Sequence, residues 1–262
     1  MLRTRVQSAA LLFLLVAVPA WLGGWPFALL MALIATLAAW EYRGLLLANG
    51  YLLSSPLLLG LSLVWLAQAA RPDLFPLSLV LSVLVIGSLL LTLWHHAPQP
   101  ASDWALSLAG SLYIGWLLGH FIRLRALPDG WSWLLLATFT AWAADVSAYF
   151  AGRAWGRHRW WPRHSPKKSW EGYWAGVLAA ALTALGLGHL LLGLPRLEGA
   201  LLGLILGLVM PLGDLAESML KRQVGAKDSS SLIPGHGGVL DRIDTLLIAI
   251  PIVFYWAVYR PF

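Results

Sequence analysis

Apolar runs close to membrane-spanning length recur along nearly the whole chain, at roughly 5–22, 25–41, 51–70, 76–95, 104–121, 131–151, 171–193, 199–220 and 243–260, with short polar segments between them. A helix needs about 20 apolar residues to cross about 30 Å of hydrocarbon, so the pattern predicts about nine transmembrane helices. The alternating ten-residue pattern of a membrane barrel is not present, and without a closed barrel the backbone groups in lipid must pair within helices. The expected fold is therefore all-α: a polytopic membrane helical bundle forming a single integral membrane domain over 1–262. The opening MLRTRVQSAALLFLLVAVPAWLGG also has the form of a secretory signal, with Arg3 and Arg5 ahead of an apolar run. A retained first helix is the expectation, since eight further spans need no cleaved export signal.

Composition strengthens this reading. Hydrophobic residues make up 59% of 262 positions and charged residues 11%, against roughly a quarter charged in soluble domains. The absence of cysteine removes disulfides, thiolate nucleophiles and cysteine metal sites together. Any metal must then be held by oxygen or imidazole. Trp25, Trp40, Trp94, Trp131 and Trp160 lie near span ends, as an interfacial aromatic belt requires. A net charge of +6 raises nucleic acid as a partner, but the basic residues sit in short loops between spans, where the positive-inside rule accounts for them.

With nine spans, 13 Lys and Arg residues fall on the side of the N-terminus and 5 on the other. That bias places the N-terminus and both long polar loops in the cytoplasm. Two spans separate the 152–170 loop from the 221–242 loop, so the two share a side whatever the upstream count, and 10 of 18 basic residues converge there. Residues 1–130 carry few ionisable groups and read as hydrophobic scaffold. Chemistry gathers in 131–262, the expected catalytic half.

The densest polar stretch is Ser218–Asp244, SMLKRQVGAKDSSSLIPGHGGVLDRID, with Lys221, Arg222, Lys227 and Arg242 against Asp228, Asp241 and Asp244. Just upstream, Asp214, Glu217, Ser218 and Lys221 are spaced by three and four and share a helical face. An acid near membrane depth is tolerated mainly facing a cavity or a partner. Asp214 therefore reads as a divalent-ion ligand, or as one half of a salt bridge to Lys221 or Arg222. Asp241 and Asp244 open the last span, where they either ligate metal or cap the helix. His236, between Pro234-Gly235 and Gly237-Gly238, would contact phosphate or simply shape a turn. In the 152–172 loop, Arg153, Arg157, Lys167 and Lys168 suit a triphosphate clamp or anionic lipid headgroups. Asp145 is an acid inside an apolar span, with Arg153 as a possible partner. The sequence contains no GxxxxGK[ST], HExxH or GxSxG motif, which disfavours a P-loop ATPase, a zincin and an α/β-hydrolase.

These residues resemble the phosphatidate cytidylyltransferase (CDP-diacylglycerol synthase) family, whose fingerprint runs S-x-apolar-K-R-x4-K-D-x-small-x2-apolar-P/G-x-H-G-G-apolar-x-D-R-apolar-D. Ser218, Lys221, Arg222, Lys227, Asp228, Ser230, Pro234, His236, Gly237, Gly238, Asp241, Arg242 and Asp244 fit it. Upstream, Asp145, Gly152, Arg153, Gly156 and the SPKKSWEG segment also match, with Ser169 where the family commonly has threonine. The resemblance implies transfer of the cytidylyl group of CTP to phosphatidic acid, giving CDP-diacylglycerol and pyrophosphate. It implies one or two Mg²⁺ ions as cofactor, with Asp214 and Asp241 as the metal pair.

Further site residues follow from the same resemblance. Lys221, Arg222, Lys227 and Arg242 would act with the acids in catalysis, and Lys167, Lys168, Ser169, Ser218, Asp228, His236, Gly237, Gly238 and Asp244 in substrate binding. In-line attack by the lipid phosphate needs no covalent enzyme intermediate. Expected partners are CTP, phosphatidic acid and membrane lipids, with a homodimer allowed and no nucleic acid, and the expected location is a bacterial-type inner membrane. Rival readings are a CDP-archaeol synthase, a polyprenol kinase and a cation transporter.

Overall fold

The computed structural model describes residues 14–74, 76–94, 97–163, 165–230, 232 and 237–260. Residues 14–22 (α1) are helical, followed by α2 (Gly24–Leu47), α3 (Ser55–Ala70), α4 (Leu77–Thr92), α5 (Pro100–Ser111), α6 (Leu117–Ala126) and α7 (Gly130–Trp155). A hairpin of β1 (Arg159–Trp161) and β2 (Ser165–Ser169) leads into α8 (Trp170–Leu192), α9 (Arg196–Gln223) and α10 (Leu240–Tyr259). A π-helical turn, Leu112–Trp116, joins α5 to α6.

The protein is helical, as the hydropathy pattern predicts. Among the described residues, six helices are long and apolar enough to cross a membrane: α2, α5 joined to α6, α7, α8, α9 and α10. Helices α3 and α4 coincide with two predicted spans but have 16 residues each, about 24 Å at 1.5 Å per residue. The predicted first span lies partly outside the described residues. Leu29, Leu33, Leu89, Leu91, Leu178, Leu182 and Leu190 are exposed, as side chains facing lipid would be.

The described chain gathers into two compact units. The first holds the residues up to Ala126 together with Val224–Arg242. Its interior is built from Phe27, Met31, Tyr42, Leu58, Trp65 and Leu118. Trp116 packs edge-on against Trp65 at 5.3 Å and carries the Arg123 guanidinium over its ring. Ser54 caps α3 by accepting from the Leu57 amide, with Pro56 in the first turn, a usual helix opening.

The second unit comprises Leu127–Gln223 and the chain from Ile243 onward. Its centre is the α7, α8 and α9 layer, held by small residues at four-residue intervals. Gly199, Gly203 and Gly207 of α9 lie against the α8 backbone, where a Cβ would come within 2.9 Å of Ala184 O, 2.4 Å of Ala180 O and 2.7 Å of Val177 Cα respectively. This is the small-residue seam by which membrane helices approach closely when no hydrophobic effect drives them together. On its other side, Gly172 and Gly176 bring α8 against Ala148 and Ala144 of α7.

Among the described residues, β1 and β2 form a two-stranded antiparallel hairpin between α7 and α8. Arg159 pairs with Ser169 and Trp161 with Ser165, with an irregularity between them. Its strands are anchored by an aromatic cluster: Trp160 lies 4.5 Å from Tyr173 and 5.9 Å from Trp170. His158 Nδ1 sits 2.7 Å from Glu171 Oε1. Strands of three and five residues are too short for alternation to announce them.

Candidate active site

In the second unit, the polar set is assembled where α9 passes Pro211. Proline offers no N–H to the Gly207 carbonyl four residues back, and two other carbonyls of this stretch accept from side chains. Tyr173 Oη donates to Leu208 O at 3.0 Å and Lys168 Nζ to Pro211 O at 3.4 Å. Lys168, near the end of β2, also lies 2.7 Å from Asp214 Oδ2. Ser218, one turn further, donates to Asp214 Oδ1 at 3.3 Å.

The ion-pair alternative for Asp214 thus takes a different form from the expected one. Its cation is Lys168, contributed by the hairpin, rather than Lys221 or Arg222 from its own helix. Lys221 instead pairs with Glu217 at 3.2 Å, and both are buried, at 8% and 0% exposure. The reason is rotational. Glu217 and Lys221 are one full turn apart and turn inward together, whereas Asp214 lies at the half-exposed edge.

Two further acids join this set. Asp145 of α7 and Asp244 of α10 lie within electrostatic range of Asp214, with Lys168 beside Asp145 and Lys221 beside Asp244. Arg153 is not drawn to Asp145 here; it donates to Tyr149 Oη at 3.3 Å, one turn back on α7. The donors are carboxylate and hydroxyl oxygens, the ligand type a hard cation such as Mg²⁺ takes. Among the described residues no group of three or more His, Cys, Asp or Glu side chains converges closely enough to hold a metal by itself. An ion held here would draw remaining oxygens from water and phosphate, as Mg²⁺ commonly does.

In the first unit, Asp241 organises its own loop. Its Oδ2 accepts from the Ser229 amide at 2.9 Å, the Ser229 hydroxyl at 2.8 Å and the Gly238 amide at 2.9 Å. Asp241 thus gathers two amides of the segment that leads into α10. Gly238 is tightly enclosed: a Cβ there would meet Ser229 Oγ at 1.9 Å. Gly237 has φ 83°, in the region that disfavours side chains.

A residue absent from the sequence reading completes this loop. Glu41 of α2 is 1% exposed, and its carboxylate accepts from Ser230 Oγ at 2.6 Å, Val239 N at 2.9 Å, Leu240 N at 2.8 Å and Ser229 Oγ at 3.1 Å. The one available signal was a lone acid at the end of an apolar run, in AAWEYRG. Such an acid in a membrane span is a functional candidate by default.

The remaining candidates divide by exposure. Lys167, Arg222, Lys227, Asp228 and Arg242 are exposed. Ser169 is 3% exposed and caps α8, accepting from the Gly172 amide at 3.2 Å. Its expected place in substrate binding meets a hydroxyl already engaged in the fold. His236 lies outside the described residues.

The two loops and their acids come from the stretch in which the sequence most resembles a known family, and the whole chain carries that likeness. Residues 3–259 match the model of the cytidylyltransferase family. The chain belongs to the cytidylyltransferase family. It is 38% identical over 273 residues to the phosphatidate cytidylyltransferase of Synechocystis sp., covering 90% of each chain. It is 37% identical to that of Pseudomonas aeruginosa, covering 98% of each. With that of Bacillus subtilis the identity is 31%, over 94% of this chain and 93% of the relative. This cytidylyltransferase is thus an integral membrane enzyme whose similarity extends well beyond its C-terminal half.

Proposed function

We propose that the protein transfers the cytidylyl group of CTP to phosphatidic acid at the cytoplasmic face of a bacterial inner membrane. An oxygen of the lipid phosphate attacks the α-phosphorus of CTP. A new P–O bond forms, the bond to the β-phosphate oxygen breaks, and pyrophosphate leaves with its electrons. The products are CDP-diacylglycerol and pyrophosphate.

The observation that carries this reading is the Lys168–Asp214–Ser218 contact set, with Asp145 and Asp244 close by, in a chain otherwise built for lipid. Substrates and leaving group are all anions, and the reaction asks mainly for positioning and charge neutralisation. Lys168 would hold a phosphate oxygen while its ion pair with Asp214 keeps the ammonium in place. The exposed cations Lys167, Arg222, Lys227 and Arg242 would bind the pyrophosphate and lipid phosphate as they approach. Lys221 is held by Glu217 and would set the local field rather than reach out. Asp214 in the second unit and Asp241 in the first are each a residue that would ligate Mg²⁺, and their carboxylate oxygens fit that ion. When bound, it supplies charge screening between two anions.

The test uses purified protein in detergent with phosphatidic acid, CTP and Mg²⁺, following CDP-diacylglycerol by mass spectrometry beside Asp214→Asn and Asp241→Asn. Product from the wild type and none from the folded variants supports the reading. Product with ATP as donor, or with a lipid alcohol as acceptor, would redirect it to a different lipid transferase.

A further inference from the structure

We propose that Glu41 is a positioning residue for this reaction: it ties Ser229, Ser230, Val239 and Leu240 to α2 so that Asp241 presents its carboxylate in one orientation. The inference rests on the role proposed above for Asp241. It goes beyond that role by placing a determinant of the site near the start of the chain, in the stretch that reads as scaffold.

Four donors converge on one buried carboxylate. Two of them, the amides of Val239 and Leu240, belong to the opening of α10, where backbone N–H groups have no partner within the helix. A carboxylate is also favoured there by the helix dipole. Glu41 therefore caps α10 from a helix almost 200 residues earlier in the chain. The other two donors are the hydroxyls of Ser229 and Ser230.

Ser229 is the link to Asp241. Its Oγ lies 3.1 Å from Glu41 Oε2 and 2.8 Å from Asp241 Oδ2, while its amide holds the same Asp241 oxygen at 2.9 Å. The two carboxylates thus share one hydroxyl. Gly238 fits between them only because it lacks a side chain, since a Cβ would come within 2.7 Å of both Glu41 oxygens. Moving the Glu41 carboxylate unties Ser229 from α2, so Asp241 stays bonded to a residue that no longer has a fixed place. Glu41 touches no substrate in this scheme and acts entirely through the loop.

The experiment compares the full chain with Glu41→Gln, Glu41→Asp and Ser229→Ala. Glutamine keeps the shape but turns an amide N–H₂ toward one backbone N–H, that of Val239 or Leu240, while the serine hydroxyl on the same side can rotate to accept, so one of the four interactions becomes repulsive. Two readouts are taken on protein that elutes and melts as the wild type does. The first is amide hydrogen exchange over 226–240, which needs no substrate; Glu41→Gln should accelerate it by about tenfold or more, reporting local opening. The second is steady-state kinetics with CTP and phosphatidic acid. Here kcat should fall by about 30-fold or more while KM stays within about threefold, because misplacement affects the transition state more than binding.

Ser229→Ala should reproduce the loss in kcat without the faster exchange at Val239 and Leu240, and Glu41→Asp should recover part of both. Unchanged exchange in Glu41→Gln overturns the clamp. Faster exchange with an unchanged kcat overturns the link to catalysis. If the glutamine variant does not fold, Ser229→Ala alone decides: wild-type kcat there overturns the proposal. If the wild type makes no CDP-diacylglycerol, the proposed function fails, while the exchange measurement still tests the clamp.

Discussion

Replacing Gly203 with alanine inserts one methyl group where α9 meets α8. Its Cβ would sit 2.4 Å from Ala180 O and 2.7 Å from Ala181 Cα and Ala184 Cβ. Two of those atoms are backbone, so no side-chain rotation relieves the contact. Reaching an ordinary separation of about 3.5 Å requires the helices to part by about 1 Å. Gly199 and Gly207 are pressed against the same helix one turn away on either side, so their contacts are lost in the same movement. Overpacking of this kind costs typically about 1–3 kcal/mol, and the continuous seam puts Gly203→Ala at the upper end. At about 2–4 °C per kcal/mol for a chain of this size, the melting temperature should drop by about 6–12 °C. Gly186→Ala on α8 is the matched control, because a Cβ there meets nothing within 4 Å. It should be neutral or slightly stabilising, since alanine gains about 0.5–1 kcal/mol over glycine in a helix. The assay is thermal unfolding in detergent followed by size-exclusion fluorescence. A Gly203→Ala protein that melts with the Gly186→Ala control would refute the close-packed seam. Activity should fall as well, because α9 carries Asp214 to its place beside Lys168.

Three further experiments probe the site. Lys168→Met removes the cation next to Asp214; kcat/KM for CTP should fall by about 10–100-fold while stability changes by less than about 1 kcal/mol, the usual worth of a partly exposed pair. An activity within twofold of wild type would dismiss Lys168 as a phosphate contact. Glu217→Leu removes the carboxylate 3.2 Å from the buried Lys221 while Asp244 stays beside that ammonium, so it should destabilise by about 3 kcal/mol, the lower end for a broken buried pair, whereas the double variant Glu217→Leu, Lys221→Met should regain most of that loss; equal melting temperatures for single and double variants would argue against a buried pair. Ser169→Ala deletes the α8 cap and should lower stability by about 1 kcal/mol, measured as a melting shift. If it lowers CTP affinity with no melting shift, Ser169 belongs to substrate binding after all.

Hydropathy and charge spacing alone set out the membrane class of this protein and which residues to weigh as its site. Membrane residence is written in runs of apolar residues, and the 218–244 cluster in closely spaced charges, because both are local properties that hydropathy and helical spacing report directly. Asp214, Glu217, Ser218 and Lys221 were placed on one helix by their three- and four-residue intervals. Only the tertiary structure decided which of them faced which partner. It gave Asp214 to Lys168, which lies 46 positions earlier in the chain, and it turned Glu217 and Lys221 inward as a pair. It also brought Glu41 to Ser229, Ser230, Val239 and Leu240 across 188 to 199 positions. Periodicity cannot encode such a meeting: hydrogen bonds over that separation depend on how whole helices pack, and a single acid among apolar neighbours carries no mark of the loop it will hold.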